Sequence, residues 1–485
     1  ATAATRVDEN GLVNYAEVLG SEEIVNGKFT TNLDSWSTSS WWVWNSLGAY
    51  HPSTSSHKPL YQQCCVIGKT YLITFDLNCI GSSQAKFSLG SSTGSTTQVI
   101  GTSLTSGSYS YFVTAAAEYI IFNRQNTAEY YVNNVSVKEA ARDNVPRIDY
   151  TGGGCPHILA EPQRTNLITY SEDFSQTDWQ KIKSSVTSGF SSPDGGNNSY
   201  RWQEDTNSGV HSLKDPYSFN SVDYSQSIFI KPNGRSNVSL WVDGASKGTR
   251  FDLSSGTIHS ETSSVGKITA MNDGWFKIST TILGTSGTAF NLYALDNFGN
   301  ISYTGDGTSG FYVYGAQLEE GSYATSYIPN FGTAAGVTRI RDIFTRDGIG
   351  SLINSTEGVL FAEIAALSDD GTDKRITLGD GTSSNRIIIG YNAQDKIQIF
   401  FAGTSGSFTP DYVIDITQYA KIAVSWSSTK AKFYVNGSPV LITLGDFSLA
   451  ADTLTELLFD NGTGAFSFYG KVKQLQVYDT SLSDT

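Results

Sequence analysis

The sequence predicts an all-β protein built as three tandem β-sandwiches. Three observations carry this. Side chains alternate with a period of two over short runs, the signature of half-buried strands: Tyr71, Ile73, Phe75 and Leu77 in YLITFDL, Phe276, Ile278, Thr280 and Ile282 in FKISTTI, and Ile422, Val424 and Trp426 in KIAVSW. Turn-forming clusters punctuate these runs, as in SPDGGNN (192–198), KPNG (231–234) and YVNG (434–437). The composition agrees: 12% aromatic residues, 47 Gly and only 16% charged residues favour short strands joined by turns. No long amphipathic helix is legible.

A chain of 485 residues suggests about three domains at roughly 150 residues each. Residues 141–165, with three consecutive glycines and three prolines, read as a linker, and so do the aperiodic residues 331–352. They leave an N-terminal arm (1–20) and modules at 21–140, 166–330 and 353–485. An internal similarity supports the division. Module one opens with EIVNGKFTTNLDSW and module two with NLITYSEDFSQTDW, each placing a Phe shortly before a Trp: Phe29 and Trp36, then Phe174 and Trp179. Each closes on an aromatic strand, EYYVNNVSVKE and GFYVYGAQLEE. First and last strands must lie near each other for a sandwich to close, so a repeated opening and closing strand is the trace of a repeated sandwich.

The net charge is −14, and Lys and Arg are scattered without a basic stripe. This argues against a nucleic-acid partner and against an anionic membrane surface. Cys64, Cys65, Cys79 and Cys155 form neither a metal-ligand spacing nor a disulfide framework. Cys64 and Cys65 are expected on a strand with their side chains on opposite faces. The five histidines form no zinc constellation. The first twenty residues have no signal-peptide core, and no apolar run is long enough to insert into a bilayer. The only methionine is Met271, so a processed chain or a piece of a longer one is expected.

Several runs resemble known families. Module one is similar to carbohydrate-binding jelly rolls attached to bacterial glycanases, through VNGKF, Trp36, WWVW, LYQQ and GKTYLITFDL. The linker and module two resemble bacteriophage tail fibres, head fibres and related virion adhesins, through NVPRIDY, EPQRTNLITYSEDFS, DGWFKIST and YGAQLEEGSYATSYIPN. The arm ATRVDENGLV is of the same kind. Module three resembles a laminin-G-like, concanavalin A-type jelly roll, through GVLFAEI, YAKIAVSWSSTKAKFYVNGSPV and FYGKVKQLQVYDTSLSDT. Together these resemblances imply a receptor-binding fibre on the virion surface, a homotrimer in contact with other virion proteins, which attaches to host surface polysaccharide. Two other classes compete: a structural decoration or collar fibre that binds neighbouring subunits only, and a bacterial carbohydrate-active enzyme or accessory module.

Enzyme chemistry finds little support. Glycosidases need two carboxyl groups about 5–9.5 Å apart, and on one strand that requires an i, i+2 pair. No acid-x-acid triplet occurs, and the E-x-D-x-x-E strand of concanavalin A-type glucanases is absent. Glu172 and Asp173 are adjacent, so on a strand they face opposite ways. The single G-x-S-x-G match, Gly90 to Gly94, lies in the low-complexity run LGSSTGSTT with no following helix, which fits a hairpin turn rather than a nucleophile elbow. No cofactor is expected. The aspartate-rich turns with Asp369, Asp370, Asp373, Asp380 and Asp460 are where a structural Ca2+ would find oxygen ligands, although Asp is also an ordinary turn residue.

The run SWWVWN (40–45) supplies the candidate binding residues. On a strand, Trp42 and Trp44 share one face while Trp41 and Val43 share the other. Exposed Trp rings suit sugars, whose apolar faces stack on them. Trp41 and Trp44 are the candidate carbohydrate-binding residues. In the carbohydrate-binding resemblance Trp42 takes the place of a core Trp, which puts Trp44 on the inner face and leaves Trp41 as the better platform. The competing reading buries both faces, one between the sheets and one against a neighbouring subunit.

Overall fold

The computed structural model describes residues 4–483 apart from 39–40, 55–58, 93, 126–127, 143–144, 393–395 and 404–405. It is all-β. Two short 3-10 turns, Asn272–Gly274 and Gly350–Leu352, are the only helical elements among the described residues, and no helix is long and apolar enough to cross a membrane. The chain divides into two compact units, Glu17–Val145 and the remainder.

The Glu17–Val145 unit is a two-sheet sandwich. One sheet runs Thr96–Leu104, Ala85–Gly90, Tyr119–Arg124, Leu60–Gln63, Ser37–Thr38. The other runs Gly107–Thr114, Thr70–Cys79, Ala128–Ala141, Gly48–Thr54, Val43–Asn45, with Val18–Glu22 also on Ala128–Ala141. The period of two in YLITFDL does what it predicts: Tyr71, Ile73, Phe75 and Leu77 are buried, and the residues between them are not. The G-x-S-x-G run closes the antiparallel hairpin of Ala85–Gly90 and Thr96–Leu104, with Gly94 N donating to Ser91 O at 2.9 Å; its Thr93 lies outside the described residues. Cys64 and Cys65 depart from expectation. They follow the strand Leu60–Gln63 instead of lying in it, both N–H groups donate to Glu118 O at 3.0 Å, and the bend brings the two sulfurs to 3.6 Å.

The larger unit holds two further sandwiches, each around its own apolar core. The first has two six-stranded sheets between residues 180 and 320. The second has two seven-stranded sheets, with Trp426, Ile422 and Val424 fully buried between them. Its YVNG turn joins Lys430–Val435 to Ser438–Leu444, with Asn436 (φ 51°) and Gly437 (φ 81°) both left-handed. That is what a two-residue hairpin needs to match strand twist.

The opening motifs repeat in three dimensions. Phe29 and Trp36 pack with centroids 5.2 Å apart and planes at 42°; Phe174 and Trp179 pack at 4.8 Å and 46°. Each indole N–H is satisfied by a nearby main-chain carbonyl, Trp36 by Asn26 and Trp179 by Tyr170.

The presumed linkers are strands. His157–Ala160 adds to the edge of Gly470–Tyr478 and carries Ile148–Asp149 beyond it, so residues numbered ahead of module two complete a sheet of module three. Arg164–Asn166 pairs with Val337–Arg339. The N-terminal arm forms its own hairpin, Thr5–Val7 on Val13–Tyr15, and is tied down by Val7 N donating to Asp149 Oδ2 (2.9 Å) and Tyr150 N to Val7 O (3.0 Å). The arm does not end at residue 20, because Val18–Glu22 already belongs to the smaller unit.

At the centre of this stitching, Glu161 accepts from Arg147 at 2.5 Å and from Arg339 at 2.6 Å, and Arg147 also reaches Asp342. Burial works against the Glu161 charge, yet Arg339 and Arg147 outweigh it and hold the carboxyl far below the usual range. A buried carboxylate is tolerated only with such partners.

Candidate glycan-binding face

In the smaller unit, the outer face of the sheet containing Thr70–Cys79 carries a cross-strand row. Val43 pairs with Tyr50, Tyr50 with Tyr131 and Tyr131 with Asn78. The neighbouring residues Ala49, Val132 and Leu77 point into the core, so the alternation of each strand turns the row outward. Tyr50 and Tyr131 stack with centroids 4.7 Å apart and planes at 28°. The Tyr50 hydroxyl donates to Glu129 Oε1 at 2.5 Å, and this bond, with burial, raises the phenol to about 12. The result is a fixed, half-exposed aromatic pair bordered by a carboxylate and an exposed amide.

The tryptophan run lies beside it. Trp42 is 4% exposed and packs edge-on against His51 (5.0 Å) and Tyr130 (5.6 Å) in the core. Trp41 precedes the strand, which starts at Val43, and is 45% exposed. Trp44 differs from expectation. It lies on the inner side opposite Ala49, as the period requires, but this is the edge strand, where the sandwich no longer covers it; it remains 40% exposed and donates its indole N–H to Phe29 O at 2.5 Å. The structure thus leaves both Trp41, ahead of the short strand, and Trp44, on it, accessible. The sequence reading missed Tyr50, Tyr131 and Asn78. The signal was present in EYYVNN, where a period of two must turn one of the two tyrosines outward.

Aromatic rings with polar neighbours can stack the apolar face of a pyranose and bond its hydroxyl edge.

The adjacent acids of module two also have a place. Glu172 and Asp173 line a shallow groove of about 450 Å3 with Tyr170, Asn198, Tyr200 and the 69% exposed Phe331. Burial raises the Glu172 carboxyl to about 7 against the hydrogen bonds of Tyr327 and Tyr314. Asp173 moves the other way. Burial pushes it up, but bonds from Ser175, Tyr200 and Gln176 outweigh this and bring it to about 2. Acids driven apart in this way can divide the roles of acid and base. Here, however, both are committed to the fold. Glu172 Oε1 accepts from Tyr314 and Tyr327 at 3.0 Å each and Oε2 faces Asn198 at 3.2 Å; Asp173 accepts from Tyr200 at 2.6 Å and Gln176 at 2.7 Å.

The aspartate-rich turns of module three are likewise occupied. Asp370 Oδ1 takes the ammonium of Lys374 at 2.6 Å, Asp373 pairs with Arg375 at 2.8 Å, and Asp380 accepts from Thr382 and Asn385. Asp460 accepts from Gly462 N at 2.7 Å. Among the described residues, no group of three or more His, Cys, Asp or Glu side chains is placed to hold a metal ion.

No curated protein matches the chain. Among solved structures it is similar to the CBM40 of Ruminococcus gnavus IT-sialidase bound to α2,3-sialyllactose, at 16% identity over 29% of this chain and 94% of that one, with a TM-score of 0.25. It is similar to domains LG4-5 of the mouse laminin α1 chain, at 11% identity over 56% and 86%, with a TM-score of 0.21. It is also similar to the CBM22 tandem of Paenibacillus barcinonensis Xyn10C, at 12% identity over 64% and 100%, with a TM-score of 0.20. The family model described as the concanavalin A-like lectin/glucanases superfamily, Laminin_G_3, matches residues 364–485, so the sandwich that closes this all-β chain is a laminin-G-like, concanavalin A-like domain.

Proposed function

We propose that this chain is a non-enzymatic attachment protein of a bacteriophage virion that binds host surface glycans. The observation that carries the binding half is the outward row of the smaller unit, Val43 beside the stacked Tyr50 and Tyr131 with Asn78 and Glu129 at its border, together with the exposed Trp41 two residues ahead of Val43. The virion half rests on the resemblance of the runs NVPRIDY to SYIPN to phage fibres and adhesins. The absence of catalysis in this reading is supported by the commitment of Glu172 and Asp173 to tyrosine, asparagine and glutamine partners. In this reading the chain sits on the virion surface as a homotrimer among other virion proteins, needs no cofactor, and gains avidity from several linked weak sites. The test is competition: the purified chain, added in excess, blocks adsorption of its phage to host cells, and a chain with Trp41→Ala does not. Unimpaired adsorption in the presence of the parent chain contradicts the proposal.

A further inference from the structure

Within the larger unit, a partly open cavity of about 120 Å3 is lined by the N-terminal arm, the strands Ile148–Asp149 and His157–Ala160, and both sandwiches. At about 10–15 Å3 of such space per water, it has room for on the order of ten water-sized groups, the size of one small organic acid. Apolar side chains such as Val13, Leu159 and Phe229 form part of its wall. The charged lining is unusual for a chain of net charge −14. Lys267, Lys277 and Lys471, from three different strands, all border it. Lys267 lies near enough to both of the others for their charges to repel.

The acids nearby, Glu161, Asp149 and Glu319, attract these ammonium groups but form no ion pair with them among the described residues. Glu161 is taken by Arg147 and Arg339. Asp149 accepts the N–H groups of Val7 and Thr151. Lys277 donates to Thr325 O at 2.7 Å, while Lys267 and Lys471 form no ion pair among the described residues. A second observation points to a ligand. His157, 5% exposed, lines the same cavity, and its Nε2 is buried without a hydrogen-bond partner, the nearest acid oxygen being Asp149 Oδ1 at 3.5 Å. Burial holds this imidazole at about 4, so at neutral pH it is an uncharged group able to bond a ligand oxygen. Burial likewise pushes the Lys277 and Lys471 ammonium groups below their usual range. A bound oxyanion relieves the mutual repulsion and satisfies the orphaned nitrogen together.

We propose that this cavity is a binding site for a compact oxyanion, a phosphate or the carboxylate of a molecule no larger than one sugar ring, held by Lys267, Lys277 and Lys471 with His157. The site is distinct from the aromatic face of the smaller unit. The experiment is calorimetric titration of the full chain with inorganic phosphate and, separately, with sodium glucuronate, using sodium chloride at equal ionic strength as the control. Saturable one-to-one binding of either probe, weakened at least tenfold by Lys277→Met and by Lys267→Gln, is expected; which probe binds more tightly identifies the source of the anion. Lys267 is on the exposed rim, so its variant reports even if Lys277→Met fails to fold. Trp41→Ala, in the other unit, leaves this binding unchanged. Absence of saturable binding by both probes, or equal affinity in parent and Lys267→Gln, overturns the proposal, whatever the outcome for glycans.

Discussion

Glu161 Oε2 accepts a hydrogen bond from Arg339 Nη1 at 2.6 Å across 178 residues of sequence. The two residues come from the segments on either side of module two, and both are buried. Arg147 binds the same oxygen at 2.5 Å. The sandwiches of the larger unit are therefore joined through an internal ion cluster. Removing one member leaves uncompensated charge in a buried place, which costs about 3–5 kcal/mol. Glu161→Gln is expected to lower the stability of the larger unit by about that amount in urea denaturation. An unchanged midpoint contradicts the assignment.

Glu172 gives a pH dependence of definite sign. Its folded value of about 7 lies above its ordinary 4.5. Between these values the folded chain keeps a proton that the unfolded chain has released. Stability therefore falls as pH rises through this window and does not recover above it. Glu172→Gln removes the effect. Relative to the parent, the variant is expected to gain on the order of 1–3 kcal/mol between pH 5 and pH 8. Parallel pH profiles of Tm for parent and variant would show that the carboxyl is not raised.

The turn at Asp370 is expected to be independent of calcium. Lys374 already supplies a cation to it at 2.6 Å from a nearly buried position. EDTA is predicted to leave the Tm of the chain unchanged, and Lys374→Ala to lower it. A fall in EDTA that CaCl2 restores would place an ion in these turns.

Catalysis is expected to be absent. Incubation with laminarin, alginate or host capsule should release no reducing ends. Turnover abolished by Glu172→Gln or Asp173→Asn would show that the module-two groove is an active site.

The strands and cores were legible because a half-buried strand writes its burial into every second residue, as at Tyr71 to Leu77 and Ile422 to Trp426. The Phe–Trp opening motif was legible for a related reason: a short spacing that brings two rings together recurs as the same packing in two sandwiches. The strands Ile148–Asp149 and His157–Ala160 were not legible. They are two and four residues long, too short for periodicity; Ile148–Asp149 pairs with His157–Ala160, and that strand in turn pairs with one more than three hundred positions away. Arg147, Glu161 and Arg339 likewise look like solvated loop charges until the fold brings them together. Trp44 shows the limit of the period rule: alternation assigned its side of the strand, but only the position at the sheet edge determines that this side is open. The lysine cavity was not legible, because Lys267 and Lys277 on two paired neighbouring strands meet Lys471 and His157 only through strands far away in sequence.

The measurement that tests the central claim most directly is a glycan-array and titration comparison of the full chain with Trp41→Ala, Tyr131→Ala and Trp42→Ala. Truncating buried Trp42 costs about 3–5 kcal/mol and is expected to unfold the smaller unit. Trp41→Ala and Tyr131→Ala are expected to stay folded by circular dichroism and to weaken glycan binding by about tenfold or more, ~1.4 kcal/mol. A folded Trp41→Ala and a folded Tyr131→Ala that bind glycans as the parent does, or a parent chain that binds no glycan, would contradict the account.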